Sequence, residues 1–268
     1  MLSGGQVLFL LGGYDLEMIT IRDLLVHHGF RQVFSENFRK ERKGFADKQL
    51  KWGAIVTAYQ AYLDFPGKIY GIELIEPIGW KKPPNYYRID HHNELSDRPA
   101  SIEQVAEILE IRLNRWQRLV AANDKGYIRA MRAMGANEEE IQEIRKQDRR
   151  AQGVTKKDED LARESIKKNL RQENGIFVIQ SLTKKFSPIT DFLYGKTNKL
   201  LIYTDHELVY YGIGAAKLAE YFDDLVKFGK AFWGGGANGF FGFADEKANI
   251  IDMKSKIIKI ISGMQHYE

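Results

Sequence analysis

The chain contains 268 residues, carries a formal net charge of +4 and has no cysteine, so disulfides and thiolate metal sites are excluded. Because no apolar run approaches the roughly 18 residues of a membrane span, and the first residues lack the basic region of a signal peptide, we expect a soluble, cytoplasmic protein without membrane partners. The length exceeds that of a usual single domain, which favours two domains.

The first predicted elements are a buried strand and a helix with acidic residues between them. Residues 7–11 are all apolar, a pair of glycines then permits a tight turn, and a helix is expected to end near His28. Asp15 and Glu17 lie at this junction. In α/β folds, the carboxyl ends of strands and the starts of the following helices form ligand sites.

Two further strands are predicted to end in acidic residues. The strand at 68–72 precedes Glu73, for which Asp64 and Glu76 are alternatives in the same role. A shorter apolar run leads into Asp90-His91-His92. One carboxylate and two imidazoles suit a divalent ion such as Mn²⁺ or Mg²⁺, and the lack of thiolates argues against structural zinc.

Helices are predicted to follow the third acidic site. Ser101 and Gln104 have the spacing of a capping box, which starts a helix that reaches about Glu110. A second helix begins at Asn114 and gives way to a turn at Asp124-Lys125-Gly126.

A charged segment divides the predicted domains. Residues 137–174 have high helix propensity and no wide apolar stripe, so we predict a helical connector there. The first domain then covers 1–136 and the second covers 175–268. The predicted fold class is α/β, with a mainly parallel N-terminal sheet flanked by helices, the helical connector and a smaller C-terminal α/β domain.

The second domain is predicted to contain strands at 176–179 and 200–203, the latter paired with residues 207–211 across a turn. A helix is expected at about 215–228, and the apolar spacing that begins at Ile250 predicts a closing amphipathic helix.

The four acidic motifs, in this order, resemble the DHH phosphoesterase superfamily over roughly residues 5–130. The resemblance implies two Mn²⁺ or Mg²⁺ ions, about 3.5–4 Å apart, that activate water against a phosphate. It implies catalytic roles for the run Asp90-His91-His92, in which His92 contacts the phosphate or orients a ligand. The implied metal ligands are Asp15, Glu17, Glu73, Asp90, His91 and Asp124.

A glycine-rich run in the second domain resembles the Gly-Gly-Gly-His loop of the domain associated with DHH proteins. Gly234-Gly235-Gly236 matches the glycines, and Ala237-Asn238 stands in place of the histidine. The resemblance implies that Gly234, Gly235, Gly236 and Asn238 bind substrate, because glycines let backbone N–H groups approach phosphate closely. The alternative is a plain hairpin turn between two aromatic strands.

Two functions are compatible with these motifs. The first is a metal-dependent phosphoesterase acting on a nucleotide, a cyclic dinucleotide or a short single-stranded oligonucleotide. The second is a binding protein that keeps the DHH fold without activity. In its favour, Leu11 stands where phosphodiesterase branches often have histidine, and Glu17 and Glu73 stand where the superfamily usually has aspartate. Family II inorganic pyrophosphatase fits less well, since the second domain lacks an evident Arg-Lys pair for a small anion.

Overall fold

A computed structural model describes residues 5–34, 54–77, 79–235 and 239–264. The chain forms two compact units, Met1–Gly153 and Val154–Glu268. Among the described residues, no helix is both long and apolar enough to cross a membrane.

The first unit contains a four-stranded, fully parallel sheet in the order β2-β1-β3-β4. Its strands are β1 (Val7–Leu11), β2 (Arg31–Phe34), β3 (Lys68–Ile72) and β4 (Tyr86–Ile89). Every residue of β1 is buried, as expected for a central parallel strand covered on both faces. Because all strands run in the same direction, their carboxyl ends meet at one edge of the sheet.

Helices cover both faces of this sheet. They are α1 (Leu16–His27), α2 (Ser101–Leu109), α3 (Arg115–Ala133) and α4 (Glu138–Ala151), together with a 3₁₀ helix at Val56–Tyr62. Met18 of α1 and Ile102 of α2 pack on one face, and Tyr59 of the 3₁₀ helix packs on the other. The predicted start of α2 is confirmed, but its reciprocal cap is different, because Glu103 and not Gln104 accepts a hydrogen bond from Ala100 N.

The segment predicted as a connector is shared between the two units. Its first helix, α4, packs against α1 and α3, and buries Ile141 and Ile144. The division between the units falls after Gly153, which has a positive φ of 75°. The sequence pattern does not indicate this apolar face, because its two isoleucines are interspersed with many charged residues.

The second unit is built on a six-stranded mixed sheet in the order β5-β6-β7-β8-β10-β9. Helices α5 (Lys156–Asn169) and α6 (Ser187–Leu193) cover one face, and α7 (Ala215–Tyr221) and α9 (Lys247–Gly263) cover the other. A short α8 (Asp223–Lys227) separates α7 from the last hairpin, where a single helix was predicted. The strands are β5 (Leu170–Glu173), β6 (Ile176–Gln180), β7 (Lys199–Tyr203), β8 (Glu207–Gly212), β9 (Ala231–Gly234) and β10 (Phe240–Ala244).

The predicted α/β class is confirmed in both units. β7 pairs with β8 in antiparallel register, and Ile250 and Ile257 on α9 are buried against the sheet, as the sequence patterns indicate.

Candidate metal centre

The carboxyl edge of the first sheet brings the predicted acidic residues close together. Glu73 follows β3 directly and Asp90 follows β4 directly. Asp15 lies between β1 and α1 and is the N-cap of α1, with its Oδ1 accepting a hydrogen bond from Met18 N at 2.9 Å. Acidic residues that are separated in the sequence therefore lie together at one edge of the sheet.

Glu17 is almost fully buried although it lies in the first turn of α1. Its Oε1 accepts a hydrogen bond from Ile102 N at 3.0 Å. Ile102 N is one of the first N–H groups of α2, which have no partner within their own helix. The contact fixes one oxygen of Glu17 and leaves Oε2 facing the other acids.

Backbone conformation sets the position of Glu73. Its φ is +51°, a left-handed value that is uncommon outside glycine. Its N–H donates to Ile89 O at 2.9 Å, which holds the end of β3 against the end of β4. A side chain at Gly12 would lie only 2.4 Å from the Glu73 carbonyl oxygen, so this approach requires a glycine.

Asp124 reaches the same edge from α3. This helix is interrupted two residues later, where Gly126 has φ −155° and Tyr127 has φ +58°. The predicted turn is thus present as a break within a helix that continues to Ala133.

Four ligand-type atoms converge at the centre of this edge. His91 Nε2 lies 2.7 Å from Asp124 Oδ2, 3.5 Å from Glu17 Oε2 and 3.6 Å from Glu73 Oε1. All four atoms are buried and have no hydrogen-bond partner of acceptable geometry. We call the four residues that carry them the ligand cluster: Glu17, Glu73, His91 and Asp124.

A divalent cation fits the ligand cluster. Buried polar atoms are normally hydrogen-bonded, so four unpartnered ones in one place indicate a missing partner. Three carboxylates repel one another unless a cation lies among them. His92 adds a further donor, since one ligand atom from each of Glu73, His91, His92 and Asp124 lies within 4.8 Å of the other three. The oxygen and imidazole donors suit Mn²⁺ or Mg²⁺.

The electrostatics of the acids agree with this interpretation. Burial, followed by the charges of Asp124 and Asp148, raises the pKa of Asp15 to about 7. Burial and neighbouring carboxylates also raise the pKa values of Glu17 and Glu73 well above their ordinary range. In these three groups, burial and the neighbouring carboxylates outweigh the backbone hydrogen bonds and the charge of His92, which favour ionisation.

Both histidines have raised pKa values. Burial opposes the charged form of His91, but the adjacent Asp124 outweighs this effect, and the pKa of Asp124 is lowered in return. The pKa of His92 is raised to about 9, because its Nδ1 lies 3.0 Å from Asp90 Oδ1 and this contact outweighs the effect of burial.

Asp90, which was predicted as a metal ligand, forms hydrogen bonds with Arg88 and His92. Its Oδ2 accepts hydrogen bonds from Arg88 Nη2 at 2.6 Å and Arg88 Nε at 3.1 Å. Its Oδ1 accepts one from His92 N at 3.0 Å. Both oxygens are therefore engaged, and hydrogen bonds from His92 and Arg88 hold the pKa of Asp90 below its ordinary value despite burial.

Asp64 and Glu76, the alternatives for Glu73, are not among the four residues of the ligand cluster. Asp64 is exposed and precedes β3, at the opposite edge of the sheet, and Glu76 lies near Tyr86 and contributes to the raised pKa of that phenol, after burial. Arg88 was not among the predicted site residues. Its signal was its spacing of two from Asp90, which places both residues on one face of an extended strand.

The glycine-rich loop joins β9 and β10 as an antiparallel hairpin. Gly234 pairs with Phe240, and Gly235 has a positive φ of 81°. Gly236 and Asn238, which were predicted to bind substrate, lie outside the described residues. The hairpin predicted as the plain alternative is present, and a role in substrate binding stays a prediction.

No protein-family model and no curated protein sequence matches the chain. Among solved structures, RecJ from Thermus thermophilus in complex with Mn²⁺ gives a TM-score of 0.51 at 12% identity, covering 97% of this chain and 52% of RecJ. The same protein in complex with Mg²⁺ gives a TM-score of 0.46 at 11% identity, covering 97% of this chain and 50% of RecJ. The pGpG-specific phosphodiesterase PggH from Vibrio cholerae gives a TM-score of 0.47 at 12% identity, covering 96% of this chain and 99% of PggH.

The chain thus spans about half the length of the RecJ chain that it matches. The match extends over nearly all of this chain, so it includes both units. Together with the order of strands in the parallel sheet, it shows that the chain shares the fold of the matched part of RecJ.

Proposed function

We propose that the protein is a divalent-metal-dependent phosphoesterase that hydrolyses a phosphodiester in a nucleotide, a cyclic dinucleotide or a short single-stranded oligonucleotide. The observation that carries the proposal is the convergence of four buried, unpartnered ligand atoms in the ligand cluster. RecJ, whose fold this chain shares, is described in complex with Mn²⁺, which supports Mn²⁺ as the first ion to test.

In this proposal the ligand cluster and Asp15 hold two ions. When bound, the ions would polarise a phosphate and lower the pKa of water. The chain itself supplies orientation and a proton. His92 is half-exposed, and Asp90 holds its Nδ1, so its Nε2 is free to contact a phosphate oxygen. Held by Asp90, the imidazole of His92 would donate a hydrogen bond from Nε2 to that oxygen.

The second unit contributes phosphate binding in this proposal. Backbone N–H groups at Gly234 and Gly235, with Gly236 and the amide of Asn238, would take the role of the superfamily's glycine loop. Support comes from the left-handed conformation of Gly235, which a residue with a side chain adopts only with strain.

A second candidate function rests on Arg88. Because its guanidinium occupies Asp90 Oδ2, the first residue of the Asp-His-His run is neutralised by an ion pair. This favours a protein that binds a nucleotide or nucleic acid through the DHH fold without hydrolysing it.

Hydrolysis of a substrate panel distinguishes the two functions. The purified protein would be incubated with Mn²⁺ and bis(p-nitrophenyl) phosphate, a linear dinucleotide, a cyclic dinucleotide and a single-stranded oligonucleotide. We expect hydrolysis of at least one phosphodiester, its loss in Asp124→Asn and its retention in Asp64→Asn, which alters an exposed carboxylate outside the cluster. Mn²⁺ binding without any hydrolysis would support the binding protein instead.

A further inference from the structure

Two charged residues on α4 are buried although neither belongs to the ligand cluster. Arg145 and Asp148 are 6% and 4% exposed, and their side chains form an ion pair at 2.6 Å. Charged side chains are seldom buried this deeply unless they are paired and fully hydrogen-bonded. Their other contacts therefore indicate what the pair does.

Arg145 contacts α3 on both sides of Asp124. Its Nη1 donates to Asn123 Oδ1 at 2.9 Å, immediately before the cluster aspartate. Its guanidinium also lies 4.4 Å from the ring centroid of Tyr127, which forms part of the break in the helix. Arg145 thus contacts the segment of α3 that carries Asp124 at two places: the residue before Asp124 and the interruption after Asp124.

Asp148 contacts the start of α1. Its Oδ1 accepts a hydrogen bond from Leu16 N at 3.2 Å, and Leu16 directly follows Asp15. Its Oδ2 accepts from Arg145 Nη1 and from Gln152 Nε2. Because both oxygens already accept hydrogen bonds, Asp148 is suited to anchoring the backbone beside Asp15 and not to binding a cation.

We propose that the Arg145–Asp148 pair is a positioning element that fixes the separation between Asp15 and Asp124. The inference rests on the proposed metal site and deepens it. One ion pair joins the N-terminus of α1 to the break in α3, two segments that are distant in sequence and that present acids to the same site. Residues that orient metal ligands change metal affinity by about 10–100-fold when they are removed.

The test is the affinity of the full chain for Mn²⁺ alone, measured by titration calorimetry. Arg145→Met/Asp148→Leu removes both charges together, so no uncompensated ion is left in the interior. We expect the Mn²⁺ Kd to rise by about 10–100-fold in protein that thermal melting shows to be folded at the temperature of titration. A Kd within about threefold of the parent overturns the proposal.

A matched control comes from the same two helices. Arg115 and Glu140 form an exposed ion pair between the starts of α3 and α4, with Nε 2.6 Å from Oε1. Arg115→Gln/Glu140→Gln should leave the Mn²⁺ Kd unchanged. An equal loss of affinity in this control would show that general loosening of α3 against α4 is responsible, and would overturn the positioning role.

A conservative variant covers the case in which the double variant does not fold. Asp148→Asn keeps an acceptor for Leu16 N but weakens the contact with Arg145, and we expect its Mn²⁺ Kd to rise by about three- to tenfold. No change in folded Asp148→Asn contradicts the proposal. A parent that binds Mn²⁺ but hydrolyses nothing overturns only the proposed function, whereas a parent that binds no Mn²⁺ overturns both.

Discussion

The two units differ in how their buried polar side chains are satisfied. In the second unit, the buried hydroxyls of Ser165, Ser181 and Thr183 donate to Leu161 O, Thr183 O and Asp158 Oδ1. Among the described residues, the buried side-chain atoms without a hydrogen-bond partner all lie in the first unit, and four of the eight belong to the ligand cluster. Over the residues that the structure describes, the second unit thus completes its polar interactions internally, while the carboxyl edge of the first sheet leaves four ligand-type atoms without a hydrogen-bond partner.

The largest expected effect is the loss of metal binding when the ligand cluster is broken. Asp124→Asn removes a charge that lies 2.7 Å from His91 Nε2. At a Mn²⁺ concentration 100 times the parent's Kd, binding stabilises the fold by about 2.7 kcal/mol, and the variant should lose nearly all of this gain. Thermal melting with and without Mn²⁺ measures it, with Asp64→Asn as the control. Equal stabilisation of Asp124→Asn and the parent would show that the ion binds elsewhere.

The second prediction concerns pH and the metal-free protein. Asp15, Glu17 and Glu73 have raised pKa values, so the folded state holds their protons more tightly than the unfolded state. Their stabilising contribution is complete at pH values below the ordinary carboxyl pKa and is lost as pH rises through the raised values. The raised pKa of His92, about 9, acts in the same direction.

Metal-free protein should therefore lose stability between pH 5 and pH 8, by on the order of 2 kcal/mol, or about 4–8 °C in Tm. Saturating Mn²⁺ should reverse the trend, because bound metal replaces the protons. Melting curves across this range, in chelator and in Mn²⁺, provide the measurement. A metal-free Tm that increases steadily from pH 5 to pH 8 would contradict the assignment of a crowded acidic site.

The sequence predicts where the acids of the first unit lie, because local signals determine their positions. An apolar strand followed directly by an acid places that acid at the carboxyl edge of a parallel sheet, and this holds for Glu73 and Asp90. The Arg145–Asp148 pair had no such signal. In sequence it lies on a charged helix, and its partners are distant in the chain: Asp148 accepts a hydrogen bond from Leu16 N, 132 positions away.

The third prediction separates Asp90 from the ligand cluster. Because Arg88 and His92 already engage both Asp90 oxygens, Asp90→Asn should raise the Mn²⁺ Kd by less than about tenfold. The substitution also weakens the contact that orients His92, so turnover should fall by a larger factor than Mn²⁺ affinity. Calorimetry gives the affinity, and hydrolysis of a substrate that the parent cleaves gives the turnover. Glu94→Gln, which removes the other carboxylate bound by Arg88, is the matched control. Complete loss of Mn²⁺ binding in Asp90→Asn would identify Asp90 as a direct ligand.

The smallest effect on metal affinity is expected from the second unit, where the comparison between the units is tested most directly. A Cβ at Gly235 would lie 3.0 Å from Gly239 Cα, and φ at Gly235 is +81°, so Gly235→Val distorts the backbone between β9 and β10. If that backbone binds phosphate, turnover should fall by about tenfold or more while the Mn²⁺ Kd stays unchanged.

Gly195→Val controls for the strain, because Gly195 has a similar φ of +76° in the same unit and no atom within 4 Å of an added Cβ. A positive φ is costly for valine at either position. If the two variants lose a comparable amount of Tm, they carry the same conformational penalty, and this penalty does not contribute to any difference between them. The effect specific to phosphate binding is then the difference in turnover between them at equal Mn²⁺ saturation. Equal turnover in Gly235→Val and Gly195→Val would identify the glycine-rich segment as an ordinary hairpin and leave catalysis to the first unit.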